Sequence, residues 1–228
     1  MAVSIASKNA VRRWGAGTAS IVRVLIAADE PLTGVAIADA VGVSQPRVSQ
    51  VIRQLSGNLA VRATADGYVG RPAKLLDLYL WRARPSLVEA ESYWYSTRSA
   101  AEQATRIIHL AHTASINVAF SADLAPDLLV PWRHPTLTVV YASGPLKMSG
   151  AGFVPAEGRA DASVIVRRTS DRTLLAPARP WPRMVDGIPV TDPTQQWWDL
   201  RDLGGEDRRE AADRLRAAII ARTIPGAR

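Results

Sequence analysis

The chain has no cysteine, and this absence excludes disulfide bonds, thiolate catalysis and cysteine-ligated zinc. It has only three histidines, so a metal site would have to be rich in carboxylates. A run of eighteen apolar residues is also missing, which argues against a membrane-spanning helix. The first residues lack the charged segment and apolar core of a signal peptide. We therefore expect a cytoplasmic, nucleoid-associated protein without a cofactor.

The chain has enough apolar residues for a core, at 47% of 228, and its length suits one large domain or two small ones. Its formal net charge of +7 is unevenly distributed. Residues 1–74 carry nine Lys or Arg against four Asp or Glu, whereas the rest has an excess of only two positive charges. A basic N-terminal segment favours binding to a polyanion through phosphate neutralisation.

Apolar residues in the N-terminal part recur at helical spacing in three short segments, 18–28, 33–41 and 44–55. Each segment begins with a hydroxyl residue that could cap a helix: Thr18, Thr33 and Ser44. Gly42 suits the positive φ of a tight turn between the second and third helices. Ala38 is small, as expected where two helices cross closely, and the positions that we expect to pack inward are Val43, Val48, Ile52 and Leu55.

Two β-favouring runs follow the third helix, at 59–62 and 68–71, and Asp66-Gly67 between them suits a reversing turn. Three helices followed by a hairpin predict a winged helix-turn-helix. Polar side chains near the start of its third helix can match base edges in the major groove; the candidates are Gln45, Arg47, Ser49, Gln50 and Gln54. A second set is placed to contact the DNA backbone: Ser44, Arg53, Arg62, Arg71, Arg12 and Arg13.

The second half has a mixed pattern. It predicts helices at 73–82, 87–112, 123–129, 193–200 and 207–222, and strands at 115–120, 137–142 and 163–168. The predicted fold class is α+β, with a winged helix-turn-helix over residues 1–72, a helical connector over 73–85 and a mixed α/β domain over 86–228. Trp197 and Trp198 are expected to be core or interface anchors rather than a ligand cage.

Residues 18–71 resemble the winged helix-turn-helix of many bacterial transcriptional regulators. Two later stretches resemble the AbiEi family of type IV antitoxins: INVAFSADLAPDLLVPW at 116–132, and VTDPTQQWWDL at 190–200 with Leu203-Gly204-Gly205 after it. This resemblance implies a transcriptional repressor, often of its own operon, whose C-terminal domain takes part in antitoxicity. Its partners would be a double-stranded operator and a toxin encoded nearby.

Several other functions stay open at this stage. The helical unit could be a protein-interaction module, and the second half could bind a small molecule that shifts a repressor between conformers. A nucleotidyltransferase-like enzyme is disfavoured, because its Gly-Ser turn and paired Asp-x-Asp are missing. A nuclease is disfavoured because no lysine has an acid two positions earlier, and His109 and His112 lack an evident third metal ligand. We expect a protein that is not an enzyme.

Overall fold

A computed structural model describes residues 13–83, 88–132, 134–178, 180–181 and 183–225. Within them the chain is an α+β protein, in which helices and a β-hairpin precede a mixed five-stranded sheet with further helices. No helix in this part of the chain is long and apolar enough to cross a membrane.

The N-terminal helices and hairpin lie close to the predicted segments. They are α1 (Ala16–Ala27), α2 (Gly34–Val41), α3 (Gln45–Gly57), β1 (Val61–Thr64) and β2 (Gly67–Gly70). The first helix, α1, is buried on all sides from Thr18 onwards, because it packs against α2, α3 and α4 and also against α8 of the second half. It is therefore the central helix of this part.

The turn between α2 and α3 confirms the sequence prediction for Gly42, which has a left-handed backbone with φ of 79°. Thr33 caps α2, since its side chain accepts a hydrogen bond from the Ala36 N–H. The prediction for Ser44 is wrong in one respect: it occupies the N-cap of α3, but its hydroxyl makes no capping bond. Pro46 lies in the first turn of α3, where a missing N–H costs nothing.

The turn of the hairpin contains two residues. Thr64 pairs with Gly67, so the turn is Ala65-Asp66, one residue earlier than the predicted Asp66-Gly67. The second strand also pairs on its other side, because the backbone groups of Leu32 and Tyr68 exchange two hydrogen bonds. This bridge fixes the hairpin to the segment that leads into α2.

After the hairpin, α4 (Pro72–Arg82) matches the helix predicted from residue 73 to 82. The longer helix predicted over 87–112 is wrong in its first part, where β3 (Ala90–Tyr95) is a strand. Three consecutive aromatic residues, Tyr93 to Tyr95, favour this strand, and it pairs with β7 far along the chain. The helix α5 (Ala100–Thr113) begins at a capping box, in which Ser99 is the N-cap and Glu102 is the third helical residue.

The sheet has the strand order β4-β5-β7-β3-β6, in which only β5 and β7 run parallel. Its remaining strands are β4 (Val118–Phe120), β5 (Thr138–Ala142), β6 (Val154–Pro155) and β7 (Val164–Arg168). A separate hairpin pairs β8 (Met184–Val185) with β9 (Ile188–Pro189). Short helices follow β4 and β7: α6 (Leu124–Leu129) and α7 (Arg172–Leu175). Two 3₁₀ turns cover Met148–Ala151 and Arg159–Asp161.

Alternate residues of the sheet pack into two hydrophobic clusters. Val140 and Val164 pack with α5 on one face, whereas Val139 and Ile165 pack with the last two helices on the other. These helices are α8 (Pro193–Leu203), which begins at the predicted residue, and α9 (Glu206–Ala221), which begins one residue before the predicted position. Trp197 and Trp198 are buried in the second cluster, as expected of core anchors. That cluster also contains the apolar residues of α1 to α4, so the N-terminal helices share a core with the sheet.

Candidate nucleic-acid interface

The third helix, α3, has a sharply divided surface. Val48, Val51, Ile52 and Leu55 are buried, and they hold the helix against α1 and α2. The sequence predicted three of these four, whereas the predicted Val43 is only half-buried. The base-reading candidates Gln45, Arg47, Ser49, Gln50 and Gln54 are all exposed. The helix thus presents an uninterrupted polar face to solvent.

One flank of this face borders a groove of about 450 Å³ between α3 and the start of α1. Arg13 and Arg47 line it together with Arg53. Gln50 and Gln54 complete its polar wall. Among the described residues that line the groove there is no carboxylate, so three guanidinium groups give it a positive charge that suits phosphate oxygens.

Arg47, on the wall of the groove, is held in place by two hydrogen bonds. One terminal nitrogen donates to Gln50 Oε1 at 2.6 Å, and the other donates to Thr18 Oγ1 at 2.8 Å. Thr18 was predicted to cap α1, and that prediction is wrong: the helix begins two residues earlier, and Gly15 is its N-cap. Thr18 instead lies in the first turn, where it is 3% exposed and accepts the bond from Arg47. It is a part of the site that the sequence analysis missed.

The remaining predicted DNA contacts lie at the start of α3 and on the hairpin. Gln45 lies on the other flank of α3, since both its amide and the Tyr68 ring approach Gly34. Arg62 is exposed on β1, and Arg71 is exposed directly after β2. The hydroxyl of Ser44 is exposed at the start of α3. Arg12 lies outside the described residues.

Arg23 is one of the nine basic residues counted in residues 1–74, but it is only 2% exposed. Its guanidinium donates to Tyr79 Oη at 2.9 Å and to Asp171 Oδ2 at 2.6 Å, and its Nε lies 2.9 Å from Asp192 Oδ2. Burial opposes the charge on Arg23, but the tyrosine and the two carboxylates outweigh this effect and raise its pKa. Its position inside an otherwise apolar run, IVRVL, was the signal that it is buried with a partner.

The two carboxylates beside Arg23 respond differently to burial. Burial raises the pKa of Asp192 to about 6, against the opposing effect of Arg23. Burial also opposes the charge on Asp171, but Arg23 and hydrogen bonds from Thr173 outweigh it and lower the pKa of Asp171. The Arg23 charge is therefore neutralised by residues of the second half and adds nothing to the basic surface.

A chain of buried hydrogen bonds continues from Arg23 into the sheet. The Tyr79 hydroxyl donates to Gln195 Oε1 at 2.8 Å, and the Gln195 amide donates to Tyr141 Oη at 2.8 Å. Asp199 accepts from that amide and, at 2.6 Å, from Arg167 on β7. Unpaired buried polar groups are costly, so these bonds oppose any displacement of α1 and α4 from the sheet. Because α3 packs against α1, its polar face also has a fixed orientation relative to the sheet.

A second contact from the other half supports the turn before α3. Arg172 on α7 donates to the backbone oxygen of Asp39 at 2.8 Å, near the end of α2. Its guanidinium lies so close to Gly42 that a side chain there would have to displace it. A cation at a helix C-terminus is favourable, so Arg172 stabilises the end of α2 as well as the turn.

The other predicted features lie away from this surface. His109 and His112 are both on α5, and no group of three metal-binding side chains occurs among the described residues. His109 lines an open groove of about 730 Å³ between α5 and the 3₁₀ turn at Met148–Ala151. Two further cavities, one beside Asp123 and one beside Arg23, hold about 10 Å³ each. That volume corresponds to about one water molecule.

Comparison of the chain with protein-family models, with curated proteins and with solved structures finds no match.

Proposed function

We propose that this protein is a sequence-specific DNA-binding regulator that uses its N-terminal part as a winged helix-turn-helix. The observation that carries the proposal is the exposed polar face of α3, with an arginine-lined groove along one flank. A buried apolar stripe holds this helix in place, while its opposite side has donors and acceptors suited to base edges. A helix-turn-helix protein inserts such a helix into the major groove.

In the proposed complex, phosphate contacts surround the base contacts. Arg13 and Arg53 would neutralise phosphates beside α3, and Arg62 and Arg71 would do so from the hairpin. Such contacts orient a protein on the duplex without reading its sequence. The polar residues along α3 would then discriminate between base pairs.

Repression, and antitoxin activity with a toxin partner, follow only from the resemblance to the AbiEi family, and both stay predictions. The ligand-sensing alternative needs an enclosed pocket of several hundred Å³. The two small cavities next to α1 and α6 are far below that size, and the groove beside α5 is open to solvent. No observation therefore favours the ligand-sensing function over DNA binding.

The test is selection of duplexes from a random-sequence pool, followed by fluorescence anisotropy with the enriched duplex and a scrambled one. We expect the enriched duplex to bind about 10³-fold more tightly or better. Arg62→Ala should weaken both duplexes by a similar factor and lower the salt dependence by about one ion. Arg106→Ala, on α5 across the sheet, is the control for the loss of one positive charge. It should change neither the affinity for the two duplexes nor the salt dependence. Selection without enrichment would overturn the proposal.

A further inference from the structure

We propose that Arg47 and Thr18 lock the side-chain amide of Gln50 with its NH₂ group facing outward, and that this makes guanine the base read by Gln50. The inference rests on the proposed function, because it names the base that the same site selects. In this proposal Arg47 positions the Gln50 amide and does not itself contact the base.

The orientation of the Gln50 amide follows from hydrogen-bond chemistry. A guanidinium has only donors, so the atom 2.6 Å from the Arg47 nitrogen must be the amide oxygen of Gln50. The NH₂ group is then directed away from Arg47. Thr18 prevents the guanidinium from turning with the amide, because it accepts from the other terminal nitrogen at 2.8 Å and belongs to the buried helix α1.

The position of Gln50 on α3 gives this amide access to a base. The buried residues Val48, Val51, Ile52 and Leu55 occupy one side of the helix, and Gln50 lies on the opposite side. Arg53 is three residues further on and is exposed on the same side. A helix that enters the major groove with this side foremost brings the Gln50 amide to the base edges while Arg53 remains near the backbone.

A locked donor favours bases that present acceptors in the major groove, and guanine presents two whereas thymine presents only O4 beside its methyl group. Guanine presents two neighbouring acceptors in the major groove, N7 and O6, which match the two hydrogens of an amide NH₂ group. Adenine presents one acceptor and one donor, and a glutamine reads it with both its oxygen and its nitrogen. Because the Gln50 oxygen already accepts from Arg47, the adenine arrangement is disfavoured. Cytosine presents a donor, which an outward NH₂ group repels.

Arg47 acts on the base through Gln50. Both of its terminal nitrogens already donate to side chains of the protein, so it is poorly arranged for the bidentate contact of a free arginine with guanine. Its removal should therefore release the amide, which could then turn and accept adenine. A lysine at the same position retains a donor for the amide oxygen and should preserve the preference.

The decisive variant is Gln50→Glu. The glutamate keeps its partner Arg47 but presents an acceptor outward where glutamine presents a donor. The base read by residue 50 is first located as the position whose preference is lost in Gln50→Ala. At that position we expect wild-type protein to prefer guanine by about tenfold or more, and Gln50→Glu to prefer cytosine. Gln54→Glu adds the same charge one turn away and should weaken binding without reversing this preference.

Two further measurements separate positioning from reading. Replacing the guanine by 7-deazaguanine removes the N7 acceptor and should weaken wild-type binding severalfold. Arg47→Ala should reduce the preference at this one base and leave the other positions of the operator selective, whereas Arg47→Lys should restore it. A preference for adenine in the wild type, or an unchanged preference in Gln50→Glu, would overturn the inference and leave the proposed function standing. Absence of any selective binding would overturn both.

Discussion

The buried ion pairs of Arg23 allow a prediction with a defined magnitude. Arg23, Asp171 and Asp192 have side chains that are 2%, 5% and 3% exposed, so these contacts are shielded from bulk water. Arg23→Met keeps the length and apolar stem but leaves two carboxylates facing an apolar group. Removal of one partner from a buried pair costs about 3–5 kcal/mol of folding free energy. Since whole domains unfold for about 5–15 kcal/mol, this loss is a large share of the total.

The control is Arg216→Met, which removes an ion pair with Asp77 whose side chains are 33% and 63% exposed. Exposed pairs contribute about 0–1 kcal/mol, so this variant should remain close to the wild type. Urea denaturation followed by circular dichroism gives both free energies of unfolding. If Arg23→Met does not fold, Arg23→Lys takes its place, because it keeps the charge. Its free energy of unfolding should be lower than that of Arg216→Met. Equal losses for Arg23→Met and Arg216→Met would refute the assigned importance of the buried pairs.

Three further predictions concern stability. Because the pKa of Asp192 is raised to about 6, folding favours its protonated form, and this group should remove about 3 kcal/mol of stability as pH rises from about 4 to above 6. Urea denaturation of Asp192→Asn should lack that decline. Identical pH profiles of stability for Asp192→Asn and wild type would contradict the prediction. Gly42→Ala forces a left-handed alanine against Arg172 and should cost at least about 1–2 kcal/mol in the same assay, whereas Gly57→Ala, in open space, should be neutral or stabilising. Ser99→Ala removes the capping box of α5 and should lower the free energy of unfolding by about 1 kcal/mol, and no change would indicate that the cap is dispensable.

Local sequence was sufficient for the parts of the fold that depend on near neighbours. The spacing of Val48, Ile52 and Leu55 predicted the buried side of α3, and Gly42 predicted the left-handed turn before it. Two runs of β-branched residues predicted β5 and β7, because a strand in the middle of a sheet is apolar on both faces. These features follow from periodicity and backbone preference alone.

The features that the sequence did not reveal depend on distant partners. Strand β3 was predicted as a helix, because its pairing partner β7 lies about 70 residues further along the chain. Thr18 was predicted as a cap, and only the packing of α1 against α3 shows that it accepts from Arg47. The partners of Arg23 come from the segments before α7 and α8. No local pattern reports which remote carboxylate meets a buried arginine.

The central claim is that the exposed face of α3 reads a DNA sequence, and the most direct measurement is binding to the DNA upstream of the protein's own gene. Fluorescence anisotropy with this duplex and a scrambled duplex of equal length should be compared at about 50 mM and about 200 mM salt. The account predicts that binding to both duplexes weakens with salt, while the upstream duplex remains preferred by about 10³-fold or more. Equal affinities that fall together with salt would contradict it, because the basic groove would then bind phosphates without reading any base.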